Sequence, residues 1–184
     1  MERGYIIYLN GTSSAGKTSI AGELEAHFPD SYLISLDAFL NMPTSHLWKE
    51  GAADCYPTVW HAMHNTIDFF MAQGKTIIVD TVSLHSERHG EFLSSMRQVR
   101  AYRGLLVYVS CPLAELQRRE LARGDRDIGL AESQLPFLPP AQAYDVVVDS
   151  CTQAPEACAA AIAAGFRGQE DNRPFEKAIK LLGG

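Results

Sequence analysis

The chain lacks the features that would send it into a membrane, onto a polyanion or through an oxidising compartment. No apolar run approaches the roughly 20 residues needed to cross a bilayer, and Met1 to Asn10 carry no signal-peptide pattern. Net charge is −6 and no basic stripe is present, which argues against nucleic acid as a partner. The four cysteines, Cys55, Cys111, Cys151 and Cys158, form no C-x-x-C pair, so neither a disulfide framework nor a zinc site is expected. The paired histidines, His61 with His64 and His85 with His89, have no third ligand nearby in sequence. Repeats and low-complexity segments are also missing. What remains is 184 residues with 46% hydrophobic content, enough for one α/β domain with a sizeable core. A reduced, cytoplasmic setting is the expectation.

Against that background one segment stands out. Gly11 to Thr18 read GTSSAGKT, a complete G-x-x-x-x-G-K-[ST] loop. The apolar, β-prone run Tyr5–Leu9 precedes it, and Ile20, Ala21, Leu24 and Phe28 follow at helical spacing. Small residues let successive N–H groups turn inward around a phosphate, and the new helix adds the partial positive charge of its N-terminus. Gly11, Thr12, Ser13, Ser14, Ala15, Gly16, Lys17, Thr18 and Ser19 are therefore candidate nucleotide contacts. Lys17 can reach the β- and γ-phosphates, and the Thr18 hydroxyl can ligate Mg²⁺.

The rest of the chain alternates strand and helix. Strands are predicted at Tyr5–Asn10, Tyr32–Ser35, Thr76–Asp80, Leu105–Ser110 and Asp145–Asp149, each a short apolar run of the kind buried on both faces of a parallel sheet. Helices are predicted at Lys17–Phe28, Thr58–Gln73, Glu87–Arg97, Pro112–Ala122 and Pro155–Phe166. Five βα units imply a doubly wound α/β fold, a five-stranded parallel sheet with helices on both faces and ligands at the C-terminal strand ends, and the Gly11–Thr18 loop makes the P-loop NTPase type the expectation. The expected division is a P-loop kinase domain over 1–167 with an arginine lid at about 118–140, then a tail over 168–184. Pro174 and Gly183 suit one short amphipathic helix in that tail. It can pack on the domain, contact another chain as in a homo-oligomer, or fray, and the sequence leaves the three open.

Three groups of residues carry chemistry at the predicted strand ends. Asp37, just past the second strand, can accept the proton of a substrate hydroxyl as its oxygen attacks phosphorus. An N-cap role fits the same position equally well on placement alone. Asp80 closes TIIVDT and can orient Mg²⁺, with a turn-capping role as the rival. In LQRRELARGDRDIG, Arg119 and Arg123 share a helix face and Arg126 lies in the loop beyond Gly124, while Arg118 faces solvent. Planar guanidinium groups suit the spread charge of a transferring phosphoryl, so Lys17, Arg123, Arg126 and Asp37 form the candidate catalytic set. Asp125 is expected to hold an arginine. Trp48, Tyr56, Trp60 and His61 or His64 are weaker candidates for an acceptor pocket, because aromatics at helical spacing more often form core.

With these pieces in place, the chain resembles the chloramphenicol phosphotransferase family within the shikimate and nucleoside-monophosphate kinase group. The matching segments are IIYLNGTSSAGKTSI, ISLDAFL, TIIVDTVSL, RRELARGDRDIG and AYDVVVDS, together covering most of residues 5–165. The loop is shared widely, whereas the lid with the following strand is narrower. The resemblance implies transfer of the ATP γ-phosphate to a small-molecule hydroxyl, with Asp37 as base and Arg123 and Arg126 on the phosphates. It also implies an adenine-side turn at Asp149–Thr152. Asn41–Thr58 and Leu135–Pro140 depart from the family pattern, and the first of these should shape the acceptor pocket. Rival readings are a kinase for a metabolite, nucleotide or sugar nucleotide, as in zeta-type toxins, and a nucleotide-dependent switch that signals through a partner.

Overall fold

The computed structural model describes residues 4–50, 52–84, 91–124, 127–167 and 172–183. Its centre is a parallel five-stranded sheet. The strands are β1 (Tyr5–Asn10), β2 (Ser31–Ser35), β3 (Thr76–Thr81), β4 (Arg103–Ser110) and β5 (Val146–Asp149), in the spatial order β2-β3-β1-β4-β5. β1 therefore sits in the middle, with Leu9 beside Asp80 on one side and Val107 on the other. Alternate residues of β1 enter different cores. Ile6 and Tyr8 join one cluster, Ile7 and Leu9 the other, and all four are fully buried. A short apolar run with no polar alternation is what that two-sided burial requires.

One face is covered by α1 (Lys17–Leu24), α6 (Leu113–Arg123) and α8 (Pro155–Phe166). The other is covered by α2 (Leu36–Leu40), α4 (Ala52–Ala72), α5 (Glu91–Val99) and α9 (Pro174–Leu182). α3 (Ser45–Glu50) packs on α4, and α7 (Leu130–Gln134) packs on α6. Single 3-10 turns at Leu135–Phe137 and Ala141–Ala143 lead into β5.

Two helix limits differ from the sequence reading by more than two residues, and the predicted Glu87 start of α5 lies outside the described residues. α4 begins at Ala52 rather than Thr58 and carries Pro57 inside it. The ring costs a bond in the second turn only, while Val59, Trp60, Met63, Ile67 and Met71 hold the rest of the helix in the core. α1 stops at Leu24, and a turn then brings the Phe28 ring edge-on to Phe166 at 5.3 Å, while Tyr5 meets the same Phe166 ring edge-on at 5.0 Å. α9 lies against α5 and β4, with Phe175 and Ala178 fully buried and the Phe175 ring 5.9 Å from that of Tyr8.

Candidate active site

The loop leaves β1 through Asn10, a fully buried side chain at the strand end. Its Oδ1 accepts the N–H groups of Gly11 (2.9 Å) and Ser83 (2.8 Å). Its Nδ2 donates to the Ser83 carbonyl (2.9 Å) and the Tyr144 hydroxyl (2.8 Å). One amide thus fixes the loop entrance to the segment after β3 and to the approach to β5. A Cβ on Gly11 would stand 2.6 Å from the Val109 carbonyl oxygen, so only glycine fits that packing. Ser14 and Gly16 take left-handed conformations, φ 62° and 89°, which turn consecutive N–H groups to one side. The Lys17 ammonium, almost wholly buried, donates to the Thr12 carbonyl at 2.7 Å. The Thr18 hydroxyl donates to Asp80 Oδ2 at 2.6 Å, joining the first turn of α1 to the end of β3.

Arg119 buttresses this loop from outside. Its Nε donates to Glu115 (2.7 Å), and its terminal nitrogens reach the Ser150 carbonyl (2.7 Å), the Ser150 hydroxyl (3.2 Å) and the Ser14 carbonyl (3.4 Å). The Ser150 hydroxyl in turn donates to the Ala15 carbonyl at 2.6 Å. Arg118 and then Arg119 hold the Glu115 carboxyl down at about 2. Arg118 makes both its bonds to Glu115 from a largely exposed position. Arg123, at the end of α6, lines the cleft. Arg126 and Asp125 lie outside the described residues, as do His85 and His89.

The segment from α6 to α7 is organised by two residues that the sequence reading missed. Glu120, fully buried, accepts the N–H groups of Gly129 (2.9 Å) and Ala131 (2.7 Å), so it caps α7 from the neighbouring helix. The signal was an acidic residue four after Leu116, on the inward face of α6. At the other end of α7, Gln134 Oε1 accepts the Ser13 N–H at 2.7 Å.

Loop, lid and the segment past β2 enclose one cleft of about 630 Å³. Asp37 lines it from the first turn of α2, exposed to solvent. The N-cap position belongs to Ser35, so Asp37 does not cap that helix end. Leu36, Leu40, Tyr56, Val82 and Leu84 line the same cleft. Of the other aromatic candidates, Trp48 donates to the Leu40 carbonyl, and Trp60 and His64 are core residues. His61 is exposed on α4. After β5 the cleft wall is formed by Ser150, Gln153 and Pro155. Asp149 instead accepts the Cys151 N–H at 2.8 Å, which shapes the turn and lowers its carboxyl, and Thr152 is exposed.

Beneath the cleft runs a buried polar chain. His64 Nδ1 faces the Trp60 carbonyl at 3.0 Å, so that nitrogen carries the proton and Nε2 accepts from the Tyr8 hydroxyl at 3.1 Å. The Tyr8 oxygen then accepts from Ser83 at 2.9 Å. Burial pushes the His64 imidazole down to about 4 and raises the Tyr8 phenol, so both are neutral.

The comparisons with known proteins agree with this geometry. No curated protein matches the chain significantly. The APS kinase of Mycobacterium tuberculosis, solved with AMPPNP and APS, is 16% identical with a TM-score of 0.67, over 91% of this chain and 100% of the other. The tunicamycin resistance protein of Deinococcus radiodurans is 19% identical with a TM-score of 0.64, over 88% and 95%. The shikimate kinase of Acinetobacter baumannii, solved with shikimate, is 14% identical with a TM-score of 0.61, over 86% and 90%. At these identities the likeness establishes the P-loop kinase fold. The chloramphenicol phosphotransferase-like protein family matches residues 4–167, and the chain therefore belongs to that family, as a small-molecule phosphotransferase with a hydroxyl acceptor.

Proposed function

We propose that the cleft transfers the γ-phosphoryl group of ATP to a hydroxyl of a neutral small molecule with an apolar body, chloramphenicol or a related antibiotic being the first candidate. The observation that carries this reading is the lining of one cleft, in which Lys17, Thr18 and Asp80 come together with Asp37 and a set of apolar side chains. The Thr18 hydroxyl and the Asp80 carboxylate are hard oxygens held 2.6 Å apart, a donor set that suits Mg²⁺. Bound there, Mg²⁺ would neutralise charge on the β- and γ-phosphate oxygens. The Asp37 carboxylate takes the proton of the acceptor hydroxyl, while Lys17 and Arg123 hold the phosphoryl oxygens. Arg126 is assigned the same work as Arg123. Arg119 positions the loop, and Asp149 and Thr152 belong to the turn beside the nucleotide base.

ATP is favoured as donor by the AMPPNP held in the M. tuberculosis APS kinase. A neutral acceptor with an apolar body is favoured over an anionic metabolite or a sugar nucleotide by Leu36, Leu40, Val82 and Leu84, the apolar side chains that line the cleft together with Asp37. Four free thiols fit a reducing compartment, and among the described residues no helix is long and apolar enough to cross a membrane. A panel of acceptors with ADP release as readout tests the reading. It should give turnover with chloramphenicol or another neutral hydroxyl antibiotic, and turnover confined to shikimate, gluconate or UDP-sugars would overturn it.

A further inference from the structure

The lid helix α7 ends on Gln134, whose carboxamide lies in the cleft beside the loop. A backbone N–H only donates, so the atom facing Ser13 at 2.7 Å is the carbonyl oxygen. The amide nitrogen therefore points elsewhere, and among the described residues it has no hydrogen-bond partner. Nor is Gln134 a loose surface group. Glu120 pins the opposite end of α7, and Ala131 between them is fully buried.

The place of the contact matters. Ser13 is the third residue of the loop, ahead of the later N–H groups that close around the β-phosphate. The peptide joining Thr12 to Ser13 is held from both ends, Lys17 on its carbonyl at 2.7 Å and Gln134 on its N–H at 2.7 Å. Lys17 is the side chain that reaches the β- and γ-phosphates. A donor anchored on the same peptide is therefore close to the terminal phosphate.

We propose that Gln134 is a phosphate-binding residue of the lid, anchored through Oε1 on the Ser13 N–H and donating from Nε2 to a γ-phosphoryl oxygen. The assignment rests on the γ-phosphoryl transfer proposed above. Being neutral, the group discriminates by hydrogen bonding at the γ-position, and ADP offers it nothing to hold.

Calorimetric titration of the full chain with MgATP and with ADP tests this. In Gln134→Glu an oxygen still meets Ser13 while a carboxylate oxygen replaces the donor, and Gln134→Met removes the donor without adding charge. The ATP dissociation constant should rise on the order of tenfold or more in Gln134→Glu, and by less in Gln134→Met, with ADP changed by under about threefold. If Gln134→Glu melts early, Gln134→Met decides alone. Equal weakening of ATP and ADP would reduce Gln134 to a latch between lid and loop. Tighter ATP binding in Gln134→Met would make it a plug competing for the Ser13 N–H, and no change in either variant would remove it from the site. Each of those outcomes overturns the proposal while leaving phosphoryl transfer standing. A wild-type chain that bound neither nucleotide would sink both.

Discussion

The two ends of the cleft are built by different means. At the loop end, contacts cross the chain: Asn10 to Tyr144, Ser13 to Gln134, Arg119 and Ala15 to Ser150. Backbone geometry there is special at Ser14 and Gly16, and Gly11 admits no side chain. At the Asp37 end, the lining comes from the short helix α2, from Tyr56 of α4 and from the segment after β3, and Asp37 itself is exposed. The loop end is over-determined because a triphosphate presents the same shape every time. The Asp37 end is specified by a few side chains on α2 and α4, which can change without disturbing the sheet. On the proposed function, selectivity for the acceptor would be separable from the phosphate machinery.

Three experiments break or sharpen that contrast. The largest effect should come from Asp37→Asn. Losing a general base costs about 10²–10⁴-fold in transfer, whereas ATP affinity should stay near wild type because the substitution keeps the side chain's shape and the proposed role of Asp37 is on the acceptor. Parallel loss of ATP binding would show that the two ends are not separable. Next comes the buried chain under both ends. His64 is held neutral at about 4 against an ordinary value of 6.5, so the unfolded chain binds the extra proton. Stability should therefore be complete above pH 6.5 and fall as the pH drops towards 4, by on the order of 3 kcal/mol, about a hundredfold in the folding equilibrium. Thermal melts across that window check it, with Asn10 and Ser83 linking the chain to the loop. A flat profile would mean that another group sets acid stability. The smallest effect is expected from Arg119→Met. It keeps much of the stem but removes the bonds to Ser14 and Ser150, and should weaken nucleotide binding by roughly tenfold without altering acceptor preference. A change in which acceptors are used would carry the influence of Arg119 across the cleft.

Much of this was readable in the sequence where the information is local. The loop is a contiguous motif, and its strand-loop-helix setting is written in the residues on either side. Asp80 follows an apolar strand, and its partner Thr18 belongs to the motif itself. The sheet was legible because two-sided burial leaves runs such as Thr76–Asp80 almost free of polar residues. What escaped was decided by residues far apart in sequence. Glu120 reads as one more charge on an amphipathic helix until α7 is seen to place two N–H groups against it. Gln134 carries no pattern, and Ser150 was legible only as part of the turn after β5, because their partners lie 121 and 135 positions away. α2 and α3 escaped because five- and six-residue helices show too little periodicity to register, and Pro57 hid the start of α4.

The burial of Phe175 and Ala178 sets a practical rule for handling the protein. The family match ends at residue 167, and a fragment cut there would be a natural choice for expression or display. That fragment would leave the Phe92, Met96 and Val99 face of α5 bare and strip the Tyr8 ring of its edge-on neighbour. Sticky, poorly soluble material is the outcome to expect. Fusion partners and purification tags belong after Leu182, beyond the helix that closes the core.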